Sequence, residues 1–467
     1  MLDGLDLDGR GDLGFRVFWQ DHRFYRKSLL AVSMVCKTLY IRVQSVLLRN
    51  VELELGLERS TPSINNLIPR LMKSRVLASH IRALSFMFDW SYLYERSRLL
   101  DTTQPPSCDE AGWPVSEMVN KDDSDLFSIA RPDFCLLELA HLIPFLGLLP
   151  SLQALKFAGP WKPQFIGALK LENFGSLSEN FRSLTEISLH WGGNPHLYVR
   201  LQDKHDFNVL ELLPLFLLPN IRTLLFDFPD ARSNHVVPAM SQYNGKSSVK
   251  ELIISYWTIG ESALSALLRL PANLGKFTLI SKETRYSMDE ILSFEGLSKS
   301  LLIQAHSLKS ITIDGPPDTE IVEIPYSNKI WKDFKVLEEF STPMRPLLGE
   351  NDITRCLDDQ LPPSLISLTL YAHDQFTLQM WANQLTKLIS AKNVCYPKLE
   401  NIQLKVWIRA IWRRRRDPAL GNPELRAASL REYTSEIERI GWLQLAKEND
   451  IKVEIFFNKE ADQNWSW

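Results

Sequence analysis

The stretch that decides the fold is Leu149-Pro-Ser-Leu152-Gln-Ala-Leu155-Lys-Phe157, because the phrase returns along the chain. It comes back as Leu218-Pro-Asn-Ile221-Arg-Thr-Leu224-Leu-Phe226 and as Tyr396-Pro-Lys-Leu399-Glu-Asn-Ile402-Gln-Leu404. Two copies carry one extra residue, Leu270-Pro-Ala-Asn-Leu274-Gly-Lys-Phe277-Thr-Leu279 and Leu361-Pro-Pro-Ser-Leu365-Ile-Ser-Leu368-Thr-Leu370. Without the proline, the L-x-x-L-x-L skeleton recurs at Ile81/Leu84/Phe86, Leu184/Ile187/Leu189, Val249/Leu252/Ile254 and Leu308/Ile311/Ile313, with a weak copy at Leu337/Phe340/Thr342. From Leu152 to Leu399 the copies start 25 to 37 residues apart. That slightly exceeds the roughly 20–29 residues of regular leucine-rich repeats.

Alternating apolar positions predict a short strand in each copy, with its apolar side chains turned into a solenoid and a return segment after it. Proline ahead of the strand stops a preceding helix and favours an extended approach. Several returns read as helices. Ala263, Leu264, Leu267 and Leu268 share one face after a Ser262 cap, and Leu378, Trp381, Leu385, Leu388 and Ile389 share another. The Asn that closes the strand turn in regular repeats is missing. The expected fold is therefore α/β: an irregular leucine-rich-repeat-like solenoid, spanning 61–457, with a short helical segment before it over 1–60 and a tail at 458–467. A polar insert, Tyr94 to Asp125, reads as a long flexible loop. The helical pattern Leu430, Tyr433, Ile437, Ile440, Leu443 and the strand Ile451 to Phe457 read as the cap that shields the last repeat.

The chain has 467 residues, 45% apolar and 23% charged, which excludes global disorder. Its formal net charge of −3 gives no electrostatic footprint of a general nucleic-acid binder, so Arg413 to Arg416 read as a solvated loop. Cys36, Cys108, Cys135, Cys356 and Cys395 form neither a CxxC nor a zinc-like pair of pairs. A sparse, odd set suits a reducing compartment, so an intracellular protein, cytoplasmic or nuclear, is expected. The acidic start Met1-Leu-Asp-Gly-Leu-Asp lacks the basic and apolar regions of a signal peptide. The apolar stretches Phe134–Leu155 and Val209–Phe226 are broken by charge and proline, and read as buried segments and not membrane spans. Asp6-x-Asp8-x-Arg10 fails as a calcium loop, with Arg at its fifth position and Val17 at its twelfth. No nucleophile elbow, HExxH, P-loop or dinucleotide fingerprint occurs. No enzyme activity, cofactor or metal is expected.

Ser28-Leu-Leu-Ala-Val-Ser-Met-Val-Cys36-Lys-Thr-Leu39 followed by Leu48-Arg-Asn-Val51-Glu-Leu53 reads as two short helices and an exit strand. This block resembles the second half of an F-box, through Leu29, Leu30, Val32, Ser33, Val35, Cys36 and Lys37, then Leu48, Arg49, Val51 and Leu53. The opening Leu-Pro-x-Glu-Ile helix of that family has no counterpart, since residues 1–27 contain no proline. The chain is thus similar to the F-box/leucine-rich-repeat proteins of filamentous fungi, with an incomplete F-box. The resemblance implies a substrate-recognition subunit of an SCF-type ubiquitin ligase, whose partners are the adaptor subunit and a protein substrate. Adaptor binding is expected at Leu30, Met34, Val35 and Leu39. The alternative is a stand-alone scaffold that binds no adaptor.

Residues between and just after the apolar strand positions are expected on a solvent-facing, concave surface. Those with the bulk and charge for partner binding are His190, Trp191, Asp227, Tyr256, Trp257, Asp314, Tyr371, Lys405 and Trp407.

Overall fold

The computed structural model describes residues 46, 48–55, 71, 73–88, 146, 149–158, 180–190, 209–231, 240–281, 294–314, 330–343, 347, 356–373, 378–407 and 442–457. Among the described residues, twelve strands form one open, wholly parallel sheet in strict sequence order. They are β1 (Asn50–Leu55), β2 (Ala83–Phe88), β3 (Ala154–Ala158), β4 (Glu186–His190), β5 (Thr223–Ala231) and β6 (Glu251–Ile259). After them come β7 (Lys276–Ser281), β8 (Ser310–Asp314), β9 (Glu339–Pro343), β10 (Ser367–His373), β11 (Asn401–Trp407) and β12 (Lys452–Phe457). A parallel sheet whose strands are added one after another, always on the same side, is a solenoid-like repeat.

The register sets every apolar skeleton residue in line with its counterpart. Leu84, Leu155, Ile187, Leu224, Leu252, Phe277, Ile311, Phe340, Leu368 and Ile402 follow one another across the sheet and are all buried. Two residues on, Phe86, Phe157, Leu189, Phe226, Ile254, Leu279 and Ile313 make a second buried row, in which the Phe86 and Phe157 rings stack with centroids 5.1 Å apart. The first residue of each phrase (Ile81, Leu152, Leu184, Ile221, Val249, Leu274, Leu308, Leu337, Leu365, Leu399) is buried too, just before its strand. The weak copy is a genuine repeat: β9 buries Phe340, and Thr342 takes the place of the third apolar residue without exposure. The sheet begins at β1, so residues 50–55 of the 1–60 segment belong to the sheet itself.

The return segments form the opposite wall of the core. Among the described residues the helices are α1 (Arg75–His80), α2 (Leu213–Phe216), α3 (Glu261–Arg269), α4 (Phe294–Leu302), α5 (Leu378–Ser390), α6 (Lys392–Cys395) and α7 (Trp442–Glu448). Ala263, Leu264, Leu267 and Leu268 of α3 and Leu385, Leu388 and Ile389 of α5 join the same apolar cluster as the strands, as their spacing requires. The α3 cap differs from expectation. Gly260 is the N-cap and makes no side-chain cap bond, while Ser262 lies inside the first turn. Its hydroxyl is two residues past the N-cap, too late to serve the free amides that a capping oxygen serves. Elsewhere the return is a 3₁₀ turn, as at Asn180–Ser183 and Ile330–Asp333. The insert 94–125, the arginine run 413–416 and the tail 458–467 lie outside the described residues.

The proline of the phrase has a more local job than stopping a helix. In Leu149-Pro-Ser-Leu152, Leu218-Pro-Asn-Ile221 and Tyr396-Pro-Lys-Leu399 the last amide donates to the first carbonyl, at 3.2, 3.4 and 3.0 Å. Each is a four-residue turn with proline at its second position, where a fixed φ near −65° is wanted. Pro362-Pro363-Ser364-Leu365 is the same turn, closed at 3.3 Å.

Serine takes over the role of the missing Asn. Ser183, Ser248, Ser307 and Ser364 each stand just before the first apolar residue of a phrase. Their hydroxyls donate to carbonyls of the previous repeat: Pro150 (3.1 Å), Ile221 (2.8 Å), Leu274 (2.9 Å) and Leu337 (2.7 Å). Asn220 does the same to Arg182 at 2.7 Å. Where the phrase is one residue longer, Gln304 completes the turn from the next repeat. Its buried amide donates to the carbonyls of Leu268 (2.8 Å) and Pro271 (2.9 Å), and its Oε1 accepts from the Leu274 amide (3.1 Å).

Gln304→Ala strands those two carbonyls and one amide in a buried turn, each a group that is costly to leave unmade. The expected loss is about 2–3 kcal/mol in stability, read as a lower denaturation midpoint in guanidinium. A matched Ser307→Ala, half-buried and with fewer partners, should cost about 1 kcal/mol.

Candidate functional site

The face of the sheet turned away from the core carries three rows of side chains, because alternate residues of a strand point to opposite sides. The first row includes Glu186, Thr223, Glu251, Lys276, Ser310, Glu339, Ser367, Asn401 and Lys452. The second includes Lys156, Ser188, Leu225, Ile253, Thr278, Thr312, Ser341, Thr369, Gln403 and Glu454. In the third stand Ala158, His190, Asp227, Ser255, Ile280, Asp314, Pro343, Tyr371, Lys405 and Phe456. His190, Asp227, Asp314, Tyr371 and Lys405, scattered over more than two hundred residues of sequence, thus stand at equivalent steps of their strands, His190 and Asp227 one step past the Leu189–Phe226 pair and Asp314 and Pro343 two steps past the Thr312–Ser341 pair.

Cross-strand polar contacts fill the first two rows. Glu251 pairs with Lys276 at 2.9 Å, Ser310 donates to Glu339 at 2.9 Å, and Gln403 donates to Glu454 at 3.0 Å. Lys452 lies 2.5 Å from Glu454 and, with that bond and charge, holds the carboxyl below the usual carboxylate range. These groups are largely satisfied by one another, so they give the face its stiffness more than its specificity.

The third row brings the Asp314 carboxylate and the Lys405 ammonium into range of the Tyr371 phenol. The Tyr371 hydroxyl accepts from Ser341 at 3.1 Å, and the Lys405 ammonium sits 5.1 Å from the centre of the Tyr371 ring, within cation–π range. Burial raises the Tyr371 phenol from 10.0 to about 12; the Asp314 charge adds to the rise and the Ser341 bond opposes it. Asp314 and Lys405 therefore each act on Tyr371, from β8 and β11 on β10.

Two expected contact residues are more buried than a solvent-facing position allows. Asp227 is 5% exposed and Tyr371 8%. Asp227 follows the last apolar position of its phrase, but β5 and β6 run on together to Ala231 and Ile259, so it lies in the middle of a strand and not at its exit. Tyr371 is covered by the Lys405 side chain and tied down by Ser341. His190 is half-buried, with Nε2 2.7 Å from the Ser188 hydroxyl. Tyr256 and Trp407 hold strand positions opposite Phe228 and His373, and Trp257 follows Tyr256 in β6. Trp191 and the four residues expected to bind an adaptor, Leu30, Met34, Val35 and Leu39, lie outside the described residues.

Ser188, His190 and Asp227 are the residue types of a hydrolase relay, and the register sets Asp227 one step past the Leu189–Phe226 pair, beside His190. The surroundings do not suit acyl transfer. Ser188 sits within a strand paired on both sides, where backbone amides are committed to the ladder, whereas an oxyanion needs donors aimed at it. Among the described residues no group of three or more His, Cys, Asp or Glu could hold a metal ion, and no helix is long and apolar enough to cross a membrane.

No family model and no curated protein matches the chain. Among solved structures it is similar to a Bacteroides fragilis protein determined by structural genomics, at 11% identity and a TM-score of 0.34, over 85% of this chain and 82% of that one. A likeness of that degree carries no functional argument.

The raised Tyr371 phenol has a consequence at alkaline pH. Between about pH 10 and 12 the unfolded chain gives up this proton and the folded one keeps it, so the phenol's contribution is complete below pH 10 and lost as pH rises through 12. Spectrophotometric titration at alkaline pH should show a late-ionising phenol that Tyr371→Phe removes. In the same window the variant's stability should fall less steeply with pH than that of the parent.

Proposed function

We propose that this chain is a protein–protein interaction subunit that presents the outer face of its parallel sheet to a protein partner, and that it serves as a substrate receptor of an SCF-type ubiquitin ligase. The observation that carries the first half is the third outward row, which lines up His190, Asp314, Tyr371 and Lys405 from four separate repeats. Charged groups on such a face select the partner and speed its approach. Chemistry, in this reading, belongs to other subunits of the ligase. The second half rests on the F-box resemblance of residues 28–53, with Leu30, Met34, Val35 and Leu39 offered to the adaptor.

Residues 50–55 belong to the sheet, so removing 1–60 would take away β1 and leave the β2 ladder open on that side. The informative truncation therefore starts at Val46. Three purified forms test the adaptor reading: the intact chain, residues 46–467, and Leu30→Asp with its fold checked by circular dichroism. The intact chain should retain the adaptor at about 1 µM, and the other two should lose it while keeping the spectrum of the body. If the intact chain retains none, the incomplete F-box is inactive and the stand-alone scaffold takes over. Equal retention by 46–467 would move the docking surface into the sheet.

A further inference from the structure

The residue just before each strand offers its carbonyl to amides of the next repeat, and only its backbone is used for that task. Its side chain is left over. From β1 to β8 this position holds no acid and is basic at Arg82, Arg222, Lys250 and Lys309; acids arrive at Glu338 and Glu400. Lys309 is answered by Glu338 at 3.3 Å. The unanswered charge gathers between β5 and β7, where Lys246 and Arg269 join Arg222 and Lys250 and all four are exposed.

Backbone bonds hold the four together. The Lys250 amide donates to the Arg222 carbonyl at 2.7 Å, and the Gly245 amide, next to Lys246, donates to the Arg269 carbonyl at 2.9 Å. Lys250 Nζ donates to the Asn273 carbonyl at 3.2 Å, and Lys246 Nζ sits 5.5 Å from the centre of the Tyr243 ring. Neither contact cancels a charge. Glu251, the acid next to Lys250, is engaged by Lys276 at 2.9 Å, and among the described residues no carboxylate pairs with any of the four. Like charges this close repel one another, a cost to the free protein that a bound anion removes.

We propose that this strand-entry edge, from β5 to β7, is a second docking surface, and that it takes an acidic segment of a partner protein, a run of Asp and Glu laid along the edge. The inference rests on the reading of the chain as a protein–protein interaction subunit and is independent of adaptor binding. Charge of one sign selects such a segment and steers its approach. Other polyanions fit the edge less well. Single-stranded nucleic acid is held by stacking on aromatic faces as well as by charge, and Tyr243, the aromatic side chain of these turns, already carries Lys246 over its ring. A membrane surface takes apolar side chains along with basic ones, and the exposed large apolar residues among those described, Val76, Val394 and Phe456, stand in other repeats.

The test uses the full chain and fluorescent decapeptides in which Ser alternates with Glu, with Gln or with Lys, followed by anisotropy at low and high salt. The Glu peptide should bind at least about tenfold more tightly than the other two, and less well in high salt. Arg222→Glu/Lys250→Glu should abolish that preference. Lys398→Glu/Lys447→Glu, which reverses two exposed cations of distant repeats, should leave it within about twofold of the parent. Should the first pair alter the circular dichroism spectrum, Arg222→Gln/Lys250→Gln takes its place and should weaken the Glu peptide in the same direction. No binding of the Glu peptide up to about 1 mM, equal binding of the three peptides, or an equal loss in the distant pair would overturn the edge. Tighter binding of a decathymidylate or of phosphatidylserine vesicles than of the Glu peptide would overturn it too, in favour of a nucleic acid or a membrane. Adaptor retention with no preference for the Glu peptide sinks this inference alone. Preference for the Glu peptide without adaptor retention keeps it and sinks only the ligase assignment.

Discussion

Strand entry in this protein is governed by a shared carbonyl. The Arg49 carbonyl accepts the amides of both Arg82 and Ala83, each at 2.9 Å, and the Arg82 carbonyl then accepts those of Gln153 and Ala154 at 2.7 and 3.0 Å. The same two-amide acceptance passes through Gln153, Thr185, Arg222, Lys250, Gly275, Lys309 and Glu338 to Ile366. A carbonyl has two lone pairs, so it can satisfy both amides without leaving either orphaned in the wall of the core. The consequence is geometric. With the entry residue of each strand fixed against the one before, register cannot slip, and a slip of one residue would turn every core side chain to the outer face.

Fixed register is what permits long and uneven returns. Between β2 and β3 the chain runs from Phe88 to Ala154, yet Leu84 still meets Leu155 and Phe86 still meets Phe157. Loop length adds little closure entropy once the ends are held, since each doubling costs only about 0.6 kcal/mol. Returns are therefore free to be a helix at α3, α4 and α5 or a 3₁₀ turn before β4 and β9. They share only the demand that apolar side chains close the core opposite the strands, as Trp331 does by packing against Phe294, Phe334 and Phe340.

The strand skeleton was legible because L-x-x-L-x-L is a statement about one strand and the turn before it. Turn closure was partly legible. Pro150 and Pro219 stood in the phrase, but the bond from Ser248 to the Ile221 carbonyl joins two repeats and has no mark in either alone. Gln304 was illegible for the same reason, as its partners Leu268, Pro271 and Leu274 come from the preceding repeat. On the outer face the sequence placed His190, Asp227, Asp314, Tyr371 and Lys405 at equivalent positions, and the register sets them in one row. It did not show how deep each lies. Depth depends on the neighbours: β5 and β6 outrun the strands beside them around Asp227, and Lys405 folds over Tyr371.

The division of labour between the two faces follows from the same constraint. Inward positions are read by the repeats on both sides, so in the two buried rows the described residues are apolar except for the buried Thr342. Outward positions contact only the adjacent strands. In the first two rows charges are answered by neighbours, as Glu251 is across the strands by Lys276, and Glu454 by Gln403 of β11 and by Lys452 of its own strand. Exposed pairs of this kind contribute little to stability, about 0–1 kcal/mol each, so the fold does not require them. A row that combines a carboxylate, a desolvated phenol and an ammonium, each contributed by a different repeat, is then free to be set by whatever it contacts. The stability of the body is supplied by the shared carbonyls and the apolar rows, and the outer face can change its charge pattern without disturbing either.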